Sequence, residues 1–194
     1  LGDLEGVLQE ELAGVVGCKA LVAPAAQPEI VTGARGKAGR VVTAGLEEGD
    51  LRASRWGVAP DGLGWMEVDG VEVRPPARGV HNLRNAMLAL AIARELGIAL
   101  ADAARGIAGM RIPPMRVNWE QLGEVTLIND AYNANPGSAR AALELLAHAG
   151  KGRQRVAVLG SMLELGTHAA RLHREVAQSA LDQGIEIVAG VGEM

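Results

Sequence analysis

From residue 124 onward, short apolar runs alternate with amphipathic stretches of helical period: "EVTLIND", "PGSARAALELLAHAG", "RVAVLG", "HAARLHREVAQSALDQG" and "IEIVAGVG". This alternation constrains the fold more than any other feature. Strands separated by helices pair in parallel, through right-handed crossovers, with the helices covering the sheet. The expectation is therefore a βαβαβ unit of Rossmann-like, α/β type. In its first helix Ala142, Leu145, Leu146 and Ala149 share one face. Ligands of such sheets bind beyond the carboxyl ends of the strands. Two polar stretches fall at such ends: "NDAYNANPGS" (129–138) and "LGSMLELG" (159–166).

The first half reads differently. Residues 4–16 place Leu4, Val7, Leu8, Leu12 and Val15 near helical spacing, and "KALVAP" follows as a short buried strand. Residues 28–78 are Gly-rich and carry β-type runs, "EIVTG", "RVVTAG", "LRASRWGVA" and "GWMEVDGVEVR", which predict a small antiparallel set. "APDGLG" and "VDGVE" are turn signals, because Asp-Gly tolerates the positive φ of a tight turn. Residues 80–98 are helical and apolar nearly all round, which predicts deep burial, with Gly97 as C-cap. A shorter helix follows at 99–110, and Pro113 and Pro114 end it. The domain boundary is placed there, at 1–112 and 113–194.

Composition narrows the function. The chain has no Phe and only 2% aromatic residues, so Ala, Leu, Val and Ile must build the core. Net charge is −4 with no basic tract, which argues against nucleic acid or an anionic membrane as main partner. The single cysteine, Cys18, excludes an internal disulfide and reads as a small buried apolar residue. With no long apolar run and no signal peptide, a cytoplasmic location is expected. Both ends look cut, at "LGDLEGV" and "IEIVAGVGEM", so the chain reads as a piece of something longer. Its C-terminal sheet is expected to expose an edge, with weak stability or association.

Three stretches hold candidate chemistry. "GARGKAG" (33–39) fails as a phosphate loop, because its first Gly is too close and Ala38 stands where a Ser/Thr is needed. It reads as a turn between two strands. "GVHNLRN" puts Asn82 and Asn85 one turn apart at a helix start. One Asn caps the helix, or the pair offers a donor and an acceptor to a planar edge such as a purine. His81 reads as structural. "NDAYNANPGS" carries more hydrogen-bonding groups than a strand-to-helix turn needs, although Asn135 or Ser138 can cap the next helix. His148, His168 and His173 have no metal-ligand spacing, and His173 reads as a satisfied structural histidine. Glu164, in the loop after the second strand, reads as solvated.

In this order the stretches resemble the Mur ligases of peptidoglycan synthesis. "HNLRNAMLALAIARELGI" is similar to the family's G-x-H-N-x-x-N-x-x-A-A helix. "LINDAYNANPGSARAALELL" resembles a D-[DS]-Y-N-A-N-P-x-S signature, and "VAVLGSMLELG" a V-L-G-D-M-x-E-L-G. The resemblance covers residues 79–185 well and 1–78 loosely. It implies the later part of a central ATPase domain, followed by the first βαβαβ of a C-terminal Rossmann-like domain. It also implies an ATP- and Mg²⁺-dependent amide ligase. In this branch of the family, the terminal carboxylate of UDP-N-acetylmuramoyl-tripeptide becomes an acyl phosphate that D-alanyl-D-alanine attacks. A monomer is expected at full length. Asn82 and Asn85 match positions that contact adenine, and His81 matches the motif His. Arg116 matches the Arg near the ATP ribose and phosphates, and Asp130 the Asp that binds the ribose hydroxyls. Tyr132, Asn133, Asn135 and Ser138 fall in the signature that faces the substrate cleft.

The departures matter too. The phosphate loop G-T-N-G-K-T and the upstream Mg²⁺ ligands are not in the chain, so alone it is expected to be inactive. Ser161 stands where the family has Asp. "GDLEGVLQEEL" loosely resembles a helix that supplies a carbamylated Lys, and places Glu11 at that position. A Glu carboxylate could replace the carbamate there, against the simpler reading of a solvated helix residue. The rival functions are another Mur-type amino-acid ligase, adding diaminopimelate or lysine, and a non-catalytic nucleotide- or partner-binding module.

Overall fold

The computed structural model describes residues 4–192. Gly2 and Asp3, part of the Glu11 resemblance, lie outside the described residues. The chain forms two compact units. One runs up to Gly57 and adds residues 64–76 and 80–110; the other takes 58–63, 77–79 and the chain from Arg111 onward.

In the first unit α1 (Leu4–Ala13) leads to β1 (Leu21–Pro24), α2 (Pro28–Ala34), β2 (Val41–Gly45) and β3 (Leu51–Arg52). β1 and β2 pair in parallel with Leu21 beside Val41, and β2 and β3 pair in parallel with Ala44 beside Leu51. This corrects the antiparallel expectation for the start of the 28–78 stretch. "EIVTG" is helix, not strand. Pro28 sits in its first turn, where a fixed φ helps and the missing N–H is not needed. Ile30, Val31 and Thr32 are weak helix formers, and packing overrides them. Ala34 is fully buried, and a Cβ on Gly33 would come within 2.4 Å of Leu12 Cδ1, so α2 docks closely on α1. "GARGKAG" is therefore the turn from a helix into a strand, with Gly36 at φ 78°. Cys18 beside it is half-buried rather than buried.

The antiparallel part begins later. β4 (Arg55–Val58), β5 (Gly64–Val68) and β6 (Val71–Val73) form one sheet. β5 and β6 are a hairpin closed by Asp69 (φ 47°) and Gly70 (φ 77°), the positive-φ pair of a type I′ turn. α3 (Val80–Glu95) packs on β1, β2 and β5 through Leu83, Met87, Leu90 and Ala91, all fully buried. It is not buried all round, since Ile92 is 48% exposed. Gly97 (φ 75°) ends it, with Gly97 N–H donating to Arg94 O and Ile98 N–H to Ala93 O. α4 (Leu100–Ala108) follows.

In the second unit β7 (Asn118–Leu122) and β8 (Val125–Asn129) form an antiparallel hairpin, with Leu122 paired to Val125 and Gly123 at φ 61°. Then come α5 (Pro136–Ala149), β9 (Val156–Gly160), a single 3-10 turn (Gly166–His168), α6 (Ala169–Asp182) and β10 (Ile187–Val191). β9 and β10 pair in parallel, Ile187 beside Val156. The βαβαβ order is present, but among the described residues of this unit only β9 and β10 pair in parallel; β8 pairs antiparallel with β7, a strand the periodicity does not reveal, where a parallel partner was expected. The core holds Leu143, Ala157, Met162, Val176, Ala180 and Ile185. Leu143, outside the expected face of α5, is thus its main core contact. Leu145 instead meets the 58–63 loop, where a Cβ on Gly62 would lie 2.4 Å from its Cδ1. The other face of the strand pair, Val156, Val158, Ile187 and Val191, is exposed.

Candidate functional site

The residues singled out by sequence fall into two sets, one on each unit. On the first unit, α3 begins at Val80, so Asn82 and Asn85 both lie inside the helix and neither caps it. The Asn85 amide donates to Asn82 Oδ1 (3.3 Å), and the Asn82 amide donates to Nε2 of His81 (3.0 Å). The three side chains form one relay. His81 and Asn82 are half-buried, while Asn85 is exposed, not sunk in the helix face. Its amide stands at the open end of the relay, where a planar donor–acceptor edge can reach it.

On the second unit, β8 ends at Asn129 and delivers Asp130 to its carboxyl end. Asp130 Oδ1 accepts from Val117 N–H (3.0 Å). Tyr132 N–H donates to Met115 O (3.1 Å), and the Tyr132 ring lies under the Arg116 guanidinium, 4.2 Å from carbon to centroid. Arg116, Asp130 and Tyr132 are thus brought together. Asn133 Oδ1 accepts from Ala134 N–H (2.9 Å). Asn135 and Ser138 form a reciprocal cap at the start of α5: Asn135 Oδ1 accepts from Ser138 N–H (2.9 Å), and Ser138 Oγ accepts from Asn135 N–H (3.0 Å). The chemistry of these last two is largely spent on building the helix.

The loop after β9 lines a cleft of about 410 Å³ with Ser161, Met162, Glu164, Leu165 and His173 among its walls. Glu164 is exposed and holds φ 62°. His173, 7% exposed, ties this loop to α6: its Nε2 accepts from Met162 N–H (2.8 Å), and its Nδ1–H donates to Ala169 O (2.8 Å). It is a satisfied histidine, and its partners fix its tautomer. Sequence pattern placed His173 on an apolar face but gave no hint of its hold on Met162.

A cation site does not emerge. Glu11 is exposed on α1, and among the described residues no group of three His, Cys, Asp or Glu side chains could hold a metal ion. The described residues therefore offer no all-protein cage for a cation. Strong carboxylate perturbations lie away from both sets. Glu186 is lowered to about 2, first by the Arg155 side chain and then by the Arg155 backbone N–H, in a clip between the strands that become β9 and β10.

Comparison with known proteins gives consistent matches. Residues 115–194 match the family model described as Mur ligase, glutamate ligase domain. The UDP-N-acetylmuramoyl-tripeptide–D-alanyl-D-alanine ligase of Bacillus subtilis is 41% identical over 101 residues, 52% of this chain and 22% of the relative. The structure of MurF from Acinetobacter baumannii superposes with a TM-score of 0.86 at 26% identity, covering 99% of this chain and 43% of that one. MurF from Thermotoga maritima, solved in complex with ADP, matches with a TM-score of 0.82 at 21% identity, covering 97% and 44%, which bears on the fold alone. The chain spans less than half the length of each of these proteins.

Proposed function

Because the chain belongs to the Mur ligase family, we propose that it is part of an ATP-dependent amide ligase that joins D-alanyl-D-alanine to UDP-N-acetylmuramoyl-tripeptide. The proposed reaction passes through an acyl phosphate. A carboxylate is a poor electrophile until one of its oxygens becomes a leaving group, and the site must hold charged reactants in line. The proposed domains are 1–112, the later part of the ATPase domain, and 113–194, the start of the C-terminal domain.

The observation that carries this reading is the run from Asp130 to Ser138. It leaves the carboxyl end of β8 and enters α5 through its own capping box. There the strand end gathers Arg116, Asp130 and Tyr132 on one surface, the grouping this reading draws on. In this reading Asn82 and Asn85 meet the adenine edge, with His81 orienting Asn82. Arg116 faces the phosphates and Asp130 the ribose hydroxyls. Tyr132 and Asn133 face the peptide substrates, with Asn135 and Ser138 shaping the turn that presents them. Mg²⁺, when bound, would offset phosphate charge, and among the described residues no cluster of three side chains could cage it. The chain by itself is proposed to be inactive and the whole enzyme cytoplasmic.

The test is an acceptor screen on the product of the full gene. Phosphate release should require ATP, the UDP-linked tripeptide and D-alanyl-D-alanine together. Turnover with a single amino acid in place of the dipeptide would overturn the assignment in favour of a sibling ligase.

A further inference from the structure

The backbone on either side of Arg116 is strained. Met115 has φ 57° and Val117 φ 54°. This is the left-handed region that a Cβ disfavours, and a β-branched one most of all. Such conformations persist where their surroundings over-determine them, and they cluster at ligand sites. Here the surroundings are specific. Arg116 N–H donates to Asn118 Oδ1 (3.0 Å), Val117 N–H donates to Asp130 Oδ1 (3.0 Å), and Tyr132 N–H donates to Met115 O (3.1 Å). Val117 is buried, at 8% exposure, so its side chain anchors the loop from inside.

The product of this bracing is an exposed guanidinium lying on the face of an exposed tyrosine. Among the described residues none accepts a hydrogen bond from its side-chain N–H groups. A carboxylate partner would fix an arginine equally well, but it would neutralise the charge and fill the fork that a phosphate uses. An aromatic face holds the guanidinium by its plane and leaves the in-plane donors available.

We propose that Tyr132 and Asp130 are positioning residues for Arg116. The ring fixes the guanidinium plane, Asp130 Oδ1 locks Val117, and the fork is aimed at a phosphate group before a nucleotide arrives. The ordering of a long, flexible side chain then precedes binding rather than opposing it. The proposal rests on the nucleotide reading above and deepens it. Tyr132 moves from the substrate-facing set to the support of Arg116, and Asp130 gains a role separate from any contact with ribose.

The test uses the ¹⁵N-labelled 194-residue chain with ADP as probe. Asp130→Asn keeps an acceptor for Val117 N–H and should leave its amide exchange within about threefold of the parent, whereas Asp130→Ala should speed it about tenfold or more. Tyr132→Phe should leave the Arg116 Nε–H resonance in place, and Tyr132→Leu should move it, because the ring current is lost. ADP affinity should fall about two- to fivefold in Tyr132→Leu, stay level in Tyr132→Phe, and fall further in Arg116→Ala. If Asp130→Ala does not fold, Asp130→Glu, which displaces the acceptor, takes its place with the same expected loss of protection. Equal Val117 exchange in the Asn and Ala variants, or an Arg116 resonance indifferent to Tyr132→Leu, would overturn the positioning roles. An Arg116 resonance that ADP leaves untouched up to about 10 mM would overturn the nucleotide reading of this fork, while the apo measurements still read the brace by themselves.

Discussion

Replacing His173 with leucine should destabilise the unit that holds α5, α6 and β9, and its size can be worked from two bonds. His173 is 7% exposed and Met162 is 5% exposed, so water has little access to either group. Leucine fills much of the imidazole volume but offers no acceptor to Met162 N–H and no donor to Ala169 O. An orphaned buried N–H costs about 1–3 kcal/mol, and the lost bond to Ala169 about 1 kcal/mol more. The added apolar surface of leucine returns about 0.5–1 kcal/mol. The net expectation is about 1–3.5 kcal/mol, which for a unit of this size lowers Tm by about 5–25 °C. Urea unfolding followed by circular dichroism gives the stability, and amide exchange at Met162 reports the bond itself. His173→Gln, whose Oε1 can reach Met162, should recover about 1 kcal/mol of the loss. A leucine variant within about 0.5 kcal/mol of the parent, or a Met162 amide that exchanges at the parent rate, would refute the reasoning.

The other expectations concern the same unit. Asn135→Ala removes one arm of the capping box and should cost about 1–2 kcal/mol in urea unfolding; adding Ser138→Ala should cost less than the sum of the single changes, since both remove one motif. Leu143→Ala opens a cavity beneath Ala157 and Val176 and should cost about 2–5 kcal/mol by the same assay. Glu186 has its folded pKa lowered from 4.5 to about 2, so its contribution is present above pH 4.5 and lost as pH falls through about 2. The gap in stability between the parent and Glu186→Gln, followed by acid titration of unfolding, should therefore close across that window. Added salt should shrink it, because the pair with Arg155 is partly exposed.

Much of the fold was legible because it rests on local rules. Asp69-Gly70 supplied the turn its hairpin needed, Gly97 ended α3, and the alternation from 124 onward produced the α/β order seen. The failures have physical causes. "EIVTG" has strand-like composition, but Pro28 at its start and the close seat of Gly33 on Leu12 make it a helix. β7, "NWEQL", carries too much polar character to announce a strand, and only its pairing with β8 makes it one. Asn85 was placed inside an apolar helix by its neighbours in sequence, yet it sits on the exposed side that period alone did not resolve. Within the candidate site, residue types pointed to Asn82, Asp130 and Tyr132. Nothing in the letters M-R-V signals that Met115 and Val117 hold positive φ, because that strain is imposed by partners far along the chain.

That distinction changes what "NDAYNANPGS" can offer a ligand. Asn129 Oδ1 accepts from Ala131 N–H, Asn133 Oδ1 from Ala134 N–H, and Asn135 Oδ1 from Ser138 N–H. Each asparagine thus commits its carbonyl oxygen to the backbone and fixes the turn. None of the three amide N–H₂ groups has an acceptor among the described residues. With the Arg116 fork above Tyr132, this surface is rich in donors, with the Asp130 carboxylate and the Tyr132 hydroxyl as its side-chain acceptors. A surface so furnished favours ligands that bring acceptors, such as phosphates and carboxylates, over ligands that bring ammonium groups. The ligase proposed above, which would activate a carboxylate with ATP, would present both kinds of anion. The asparagines that make the turn rigid therefore also leave it a surplus of amide donors.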